Sequence, residues 1–302
     1  MNDRKQQVIL TARNLFVKKG FAATSVQDII NESQISKGTF YNYFSSKNEC
    51  LIAILEHGHN ETFLRRRELM IGQEITSKDI LAKQISIHML VTREHNLAPI
   101  FQAVHHSGDQ DLKASVKRHH LAELTWLTRR LVDVYGKAAT AVAPDCAVIM
   151  YGIIQHLMHV GTAWSKEKID TNELINFTMR RIDAIITNML RTEDHFLAED
   201  IFLGGNLSFV EISQTKKQLL SQLKKFKQTV INKADYNTNE YIQFLMDEIH
   251  TEYPRTFILE SVTRSFREAF VDTDHKREVD EISANVWRYI DTIEDENSQS
   301  NV

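Results

Sequence analysis

Residues 36–47, SKGTFYNYFSSK, concentrate groups that can bind a polyanion on one short segment. Two lysines supply ammonium groups, the tyrosines and serines supply hydroxyls, and Asn42 supplies an amide. Such groups contact phosphate oxygens or the edges of nucleic-acid bases. Gly38 lets a helix come close to a groove wall, because it has no side chain. The segment therefore predicts a nucleic-acid surface, provided that neighbouring elements turn its polar side outward.

The spacing of the aromatic rings predicts how a helix over 37–43 is held. Phe40 and Phe44 are four residues apart and share one side, which we expect to enter the core of a small domain. Lys37 and Tyr41 lie at the border of that side. The residues that spread over the opposite arc are Gly38, Thr39, Asn42 and Tyr43.

The preceding residues predict two further helices. Apolar residues recur with helical spacing from Arg4 to Lys19, and Gly20 ends the pattern. TSVQDII reads as the start of a second helix, with Thr24 as the N-cap and Gln27 closing a capping box. The short polar stretch NESQIS then separates the second helix from the third. Two helices joined by such a turn are typical of a helix-turn-helix.

Capping signals also define the third and fourth helices. Ser36 can cap the helix over 37–43. Ser46 and Glu49 form the pattern of a second capping box, which opens a long helix that runs to about Met70. The run Arg65 to Arg67 in this helix could contact DNA, but a charged face open to solvent is the preferred interpretation.

Charge is unevenly distributed along the chain. Residues 1–50 contain seven Lys or Arg against four Asp or Glu, residues 51–195 contain seventeen of each, and residues 196–302 contain twelve against nineteen. The formal net charge of −4 therefore hides a positive amino-terminal end. A local positive potential attracts phosphates without making the whole protein bind any polyanion.

The segment LFVKKGFAATSVQDIINESQISKGTFYNYFSSKNECL resembles the DNA-binding domain of the TetR family of bacterial transcriptional regulators. The shared features are the Gly-Phe turn, the Thr-Ser-Val helix start, the SKGTFYNYF segment and the Ser-Lys-x-x-Cys-Leu exit. The resemblance covers about residues 10–51. Asn31 and Gln34 depart from it, because many members have Ala and Gly at these positions of the turn.

The resemblance implies a homodimer that places two recognition helices in successive major grooves of double-stranded DNA. Thr24 and Ser25 would then touch phosphate, and Lys47 would meet phosphate at the fourth helix. Lys37, Gly38 and Asn42 would face bases. The hydroxyl groups that would contact phosphate or sugar belong to Thr39, Tyr41 and Tyr43. Ser36 completes the set as the residue that starts the recognition helix.

The whole chain is expected to be all-α, because it has only three prolines and ten glycines among 302 residues. Further helices are predicted at about 77–93, 97–107, 110–136, 145–166, 171–194, 213–234, 238–251, 255–271 and 276–294. We expect a helix-turn-helix domain over 1–47, a helical ligand-binding and dimerisation domain over 48–195, and a helical extension over 196–302. LGGN at 203–206 indicates a joint. The resemblance does not cover the extension, which could enlarge a dimer interface, cover a pocket or recruit a protein; packing onto the same chain is preferred.

The pair of helices at 145–166 and 171–194 is apolar on more than one side, which predicts that another copy of the chain covers one face. A small-molecule pocket is also implied by the resemblance. Large rings and adaptable methionines suit an apolar or amphiphilic molecule. The candidates for its lining are Phe101, Trp126, Met150, His156, Met158 and Trp164.

Other classes of protein find little support. No nucleophile elbow, metalloprotease motif or phosphate loop is present, so no enzyme activity is expected. Cys50 and Cys146 form no CxxC pair, which fits a reducing cytoplasm. His156 and His159 have a spacing that could hold a metal, but no Cys or carboxylate completes a ligand pattern, so neither a metal nor a cofactor is assigned. We also find no membrane-spanning run.

The sequence thus predicts a cytoplasmic, ligand-responsive regulator, with repression preferred, which binds a palindromic operator as a homodimer. An activator, or an interaction scaffold that keeps the helix-turn-helix, is the alternative.

Overall fold

The computed structural model describes residues 2–105, 108–164, 169–198, 201–202, 209–230 and 236–300. Within these ranges the regular structure consists of thirteen α-helices and one 3₁₀ helix, Lys137–Ala139, with no strand. The all-α prediction is confirmed. The α-helices are α1 Asn2–Lys19, α2 Val26–Glu32, α3 Lys37–Tyr43, α4 Lys47–Met70, α5 Lys78–Glu94, α6 Ala98–His105, α7 Gln110–Tyr135, α8 Ala143–Trp164, α9 Thr171–Thr192, α10 Phe209–Val230, α11 Tyr236–His250, α12 Thr256–Glu268 and α13 Lys276–Ser300.

The chain forms two compact units. One is Gln7–Gly205, and the other combines Asn206–Val302 with Met1–Gln6. The three-domain division at 47 and 195 stays a prediction, and the expected joint at 203–206 lies outside the described residues.

A first core in unit Gln7–Gly205 is built by α1 to α4. Phe40 and Phe44 are buried in it, as their spacing predicts, together with Leu51 of α4. Ile100 of α6 and Leu112 of α7 belong to the same cluster. The core of the helix-turn-helix therefore continues into α6 and α7, so these helices support the position of α3.

A second core in the same unit lies between α5, α7, α8 and α9. Leu81, Leu131, Met150 and Ile182 are fully buried members of it, one from each of these helices. Apolar residues recur with helical spacing around each of these four, so each helix turns one apolar side towards the core.

The other unit contains α10 to α13 with a core of its own. Phe226 of α10 stacks edge-on against Phe266 and Phe270, with ring centroids 5.9 and 5.3 Å apart. Glu248 is buried and accepts hydrogen bonds from the backbone and guanidinium of Arg255, which closes the turn between α11 and α12. Helices α10 to α13 therefore pack around a core of their own.

Across the described residues, no helix combines the length and the hydropathy that crossing a membrane requires.

Candidate nucleic-acid interface and regulatory interior

The second helix begins one residue later than the sequence pattern indicated. Ser25 is the N-cap of α2: its Oγ accepts a hydrogen bond from the Asp28 backbone N at 3.1 Å, and Asp28 Oδ2 accepts from the Ser25 backbone N at 2.8 Å. The capping box therefore uses Ser25 and Asp28, so the prediction of Thr24 and Gln27 is wrong. Thr24 is buried, and its hydroxyl donates to the Gly20 carbonyl at 2.8 Å.

Asp28 is held as a carboxylate by these contacts. Hydrogen bonds from the Ser25 side chain and backbone, with Lys19 at 3.2 Å, lower the pKa of Asp28 to about 2. The exposed negative group sits in the first turn of α2, where it interacts favourably with the helix dipole. The start of α2 is thus stabilised at any physiological pH.

The turn between α2 and α3 contains a residue in the left-handed region of backbone space. Gln34 has φ of 53°, at the position where many proteins that the segment resembles have glycine. The Gln34 and Ile35 backbone N–H groups donate to the Asn31 and Ile30 carbonyls, both at 3.2 Å. The turn is therefore closed by regular hydrogen bonds, although a side chain here costs conformational energy.

The caps of α3 and α4 follow the predicted serines. Ser36 Oγ accepts from the Thr39 backbone N at 3.0 Å, and Ser46 Oγ accepts from the Glu49 backbone N at 3.1 Å. The second box differs in one respect from the prediction, because the Glu49 carboxylate accepts from the Ser45 backbone N rather than from Ser46.

The outward side of α3 consists of Lys37, Gly38, Tyr41 and Asn42, all exposed, with 48 % of Tyr41 accessible. Thr39 and Tyr43 are half-buried, and the Thr39 hydroxyl is hydrogen-bonded to Ser36 Oγ at 2.8 Å. The helical projection therefore placed Tyr43 too far outward and Tyr41 too close to the border. The helix ends directly after Tyr43, since Phe44 leaves the helical conformation at φ −144° and ψ 126°.

Lys47 has an internal role that its sequence position did not reveal. Its ammonium group donates to the carbonyls of Phe21 and Thr24, at 2.8 and 2.7 Å, and lies 4.3 Å from the centre of the Phe21 ring. Burial lowers the pKa of Lys47 from its ordinary value. The side chain fastens the α1–α2 loop to the start of α4, and two of its three N–H donors are used in doing so.

The six pocket candidates do not form one group. Met150 is buried in the second core, and Trp126 and Met158 pack against that core. Phe101 packs against the first core instead, and His156 is exposed on α8. The side chain of Trp164 lies outside the described residues. Half of the set is thus brought together, by α7 and α8.

A buried ionic cluster occupies the region near Trp126. Arg66 donates to both carboxylate oxygens of Glu123, at 3.0 and 2.9 Å, and its guanidinium lies 3.5 Å from the centre of the Trp126 ring. His59 and His88 approach the same carboxylate at 3.9 and 3.7 Å. The interpretation of the 65–67 run as a solvent face is wrong for Arg66, which is buried.

A cleft of about 580 Å³ opens between α5 and the start of α9. Lys83, Ile87 and Leu90 line it from α5, and Thr171 lines it from α9. None of the six candidates lines this cleft.

Apolar side chains remain exposed on the last two helices of this unit. They are Val148, Leu157 and Val160 on α8, with Phe177 and Leu190 on α9. Each is at least 36 % accessible, although α8 and α9 contribute other residues to the second core. The two helices are therefore apolar on two sides, as their sequences predicted.

Comparisons with known proteins agree with this geometry. Residues 8–54 match the family model described as bacterial regulatory proteins, tetR family. The uncharacterized HTH-type transcriptional regulator YerO of Bacillus subtilis (strain 168) is 25 % identical over 268 residues, which is 87 % of this chain and 89 % of that protein. A second regulator of the same organism, the uncharacterized YuxN, is 23 % identical over 274 residues, 89 % of this chain and 94 % of its own length.

Among solved structures, a Pseudomonas aeruginosa PAO1 protein described as a transcriptional regulator aligns with a TM-score of 0.50 and 14 % identity, over 63 % of this chain and 94 % of that one. At this identity the likeness concerns the fold alone. The sequence relatives are named as regulators and not as enzymes, in agreement with the expectation from the sequence. Residues 8–54 therefore carry a helix-turn-helix that matches the tetR family of bacterial regulatory proteins, and the chain is similar over most of its length to proteins named as HTH-type transcriptional regulators.

Proposed function

We propose that the protein is a cytoplasmic, ligand-responsive transcriptional repressor, which binds a palindromic operator as a homodimer and is released by a small apolar or amphiphilic molecule. The observation that carries the proposal is α3: Phe40 and Phe44 are buried beneath it, while Lys37, Gly38 and Asn42 are exposed on its other side. A helix held in this way can enter a major groove with its polar side foremost.

The exposed residues take the contacts with DNA. Lys37 and Asn42 read base edges, and Gly38 allows the close approach. Tyr41 offers an exposed hydroxyl to phosphate, with Ser36, Thr39 and Tyr43 beside it. Ser25 is exposed at the start of α2, where its hydroxyl donates to Asp28 Oδ2 at 2.6 Å and would turn from it to reach phosphate. Thr24 and Lys47 support the interface from inside, since the Thr24 hydroxyl donates to Gly20 and the Lys47 ammonium donates to two carbonyls.

Gel-shift titration tests the assignment once an operator has been selected from genomic DNA. Lys37→Glu should weaken binding by about 1–3 kcal/mol or more, because a base contact is lost and a like charge faces the DNA. Lys18→Glu is the matched control, since it makes the same change of charge at an exposed residue of α1. Equal affinity of Lys37→Glu and wild type, or equal loss in both variants, would contradict the assignment.

The exposed apolar residues of α8 and α9 support the homodimer. Burial of such a face stabilises an assembly by about 25 cal/mol for each Å² of apolar surface removed from water. A second copy of the chain presents the same face by symmetry. Phe177→Glu should shift the chain from dimer to monomer in light scattering. Phe257→Glu is the control, because it makes the same substitution at an exposed ring of the other unit, and it should leave the dimer intact. A wild-type monomer at micromolar concentration would count against this part of the proposal.

The second core supports the placement of the effector. Trp126 lies against the Arg66–Glu123 pair, and both Trp126 and Met158 pack half-buried against the second core, so an amphiphilic molecule would find apolar side chains near charge. A small molecule that prefers one spacing of the two α3 helices changes DNA affinity by linkage. Release of operator DNA in a screen of amphiphilic compounds, followed by loss of that release in Trp126→Ala, is the expected result. If the protein activates its target gene instead of repressing it, the assignment of DNA binding stands, and the proposed role changes from repressor to activator.

A further inference from the structure

His57, Glu61 and His95 bring together the donor set of a divalent-metal site. One ligand atom from each of the three lies within 4.8 Å of the others, and in the part of the chain that the structure describes this is the one His, Cys, Asp and Glu group with that geometry. His57 and Glu61 are one turn apart on α4, and His95 is the C-cap of α5. All three are half-buried, so the group is neither a loose surface cluster nor sealed from solvent.

The chemistry of the three groups suits a transition metal. Two imidazoles and one carboxylate form a common ligand set for Zn²⁺, with a fourth position left to water. The His95 ring already contacts the Glu61 carboxylate, so a ligand atom of each reaches the same point. The ring centroids of His57 and His95 are 5.6 Å apart, which brings both imidazoles to the same carboxylate.

Arg13 of α1 competes for His95. In the structure the Arg13 guanidinium donates to His95 Nδ1, while His95 Nε2 lies 2.6 Å from Glu61 Oε2. Because the carboxylate accepts and a guanidinium only donates, Nε2 carries the hydrogen and Nδ1 carries the lone pair. A neutral imidazole has a single free lone pair, and Arg13 already uses it.

We propose that His57, Glu61 and His95 bind Zn²⁺ or a similar divalent transition metal, and that metal binding displaces Arg13 from His95. A metal on Nε2 moves the ring hydrogen to Nδ1, which can then no longer accept from Arg13. A metal on Nδ1 occupies the lone pair directly. Either way the contact between α1 and the end of α5 is lost, and the proton balance of the neutral imidazole is kept.

The consequence is a link between metal and the helix-turn-helix. Arg13 is on α1, which packs in the same core as Phe40 of α3, whereas His57 and Glu61 are on the long helix α4. Loss of the Arg13–His95 hydrogen bond removes one connection between α1 and the end of α5, while the metal joins α4 to α5. Metal binding and operator binding should therefore be coupled, and the coupling is reciprocal.

Titration of the full chain with Co²⁺ tests the site without DNA, so that failure here and failure of the repressor proposal can be told apart. Cobalt in a site of imidazole and carboxylate ligands gives visible absorption bands. Wild type should give them, and Glu61→Gln and His95→Gln should bind cobalt at least about 100-fold more weakly, because even losses outside the ligand shell cost ~10–100-fold. The controls Glu94→Gln and His156→Ala, a neighbouring carboxylate and an exposed imidazole, should behave like wild type.

Arg13→Met provides the test of competition, since it keeps an apolar stem and removes the donor and the charge. It should bind cobalt roughly tenfold more tightly than wild type, because the metal no longer has to displace the Arg13 contact. Circular dichroism melting establishes that each variant is folded. If His95→Gln is unfolded, the site is tested with Glu61→Gln alone. Absence of cobalt bands in wild type, or equal bands in Glu61→Gln, would overturn the site; unchanged affinity in Arg13→Met would overturn the displacement. A gel shift with and without Zn²⁺ then measures the coupling, which should vanish in Glu61→Gln.

Discussion

Arg66 and Glu123 form a buried ion pair with two hydrogen bonds, of 3.0 and 2.9 Å, between α4 and α7. The Arg66 Nε group also donates to the Gln84 carbonyl of α5 at 3.0 Å. One guanidinium thus joins three helices of the interior. Because buried charges of this kind are costly to desolvate, each destabilises the fold unless its partner is present.

Removal of one partner should be severe. Glu123→Leu leaves the Arg66 charge buried without its carboxylate, and we expect a loss of about 3–5 kcal/mol in the free energy of unfolding. The double variant Arg66→Met with Glu123→Leu should recover most of that loss, because neither charge then remains. Urea denaturation measures both, with Glu74→Leu, an exposed acid, as the control. A loss below about 1 kcal/mol in Glu123→Leu would show that the interior is already hydrated.

The same pair predicts a pH dependence. Burial raises the pKa of Glu123, but the charge and hydrogen bonds of Arg66 outweigh it and hold the pKa near 2, below the ordinary value of 4.5. A carboxyl with a lowered pKa stabilises the folded state above its unfolded pKa and loses that contribution as the pH falls. The difference in melting temperature between wild type and the Arg66→Met, Glu123→Leu double variant should therefore change progressively as the pH falls from about 5 towards 2, in the direction that disfavours wild type. A difference that is independent of pH would refute the ion pair.

A substitution at Gly38 should affect the stability of the fold and the affinity for DNA in opposite directions. A Cβ added there would meet only Ser36 Oγ, at 3.8 Å, so the helix has room for it. Gly38→Ala should raise the free energy of unfolding by up to about 1 kcal/mol, through helix propensity. It should nevertheless weaken operator binding, because the methyl group stands between α3 and the groove. Thermal melting and gel shift together check this, and unaltered DNA affinity would mean that Gly38 does not face the duplex.

Gln34 offers a stabilising change. A non-glycine residue with φ of 53° costs roughly 1–2 kcal/mol, and glycine recovers part of this at the expense of unfolded-state entropy. Gln34→Gly should therefore raise the free energy of unfolding by up to about 1 kcal/mol. Glu32→Gly, two residues earlier at the end of α2, should lower it. If Gln34→Gly is destabilising in urea denaturation, a contact of the Gln34 side chain must outweigh the backbone strain.

Local signals in the sequence were sufficient for the helices around the interface. Ser36 caps α3, and Phe40 and Phe44 bury its inner side, because both effects act over three or four residues along the chain. Where two local signals overlap, the pattern failed by a small step. Thr24 and Ser25 are both possible caps, and only the packing of Thr24 against Gly20 and Leu15 decides that Ser25 starts α2.

The order and type of the helices and the outward polar side of α3 were thus determined by the amino-acid sequence itself, since spacing and capping are short-range effects. Tertiary structure alone decided which charged groups lie inside. Arg66 meets Glu123 across 57 positions, Glu61 meets His95 across 34, and Arg13 meets His95 across 82. In each case the side chain looks like part of a solvated helix face until a distant segment covers it. The pairing energy of such groups depends on burial and distance, and neither is encoded within a single turn of helix.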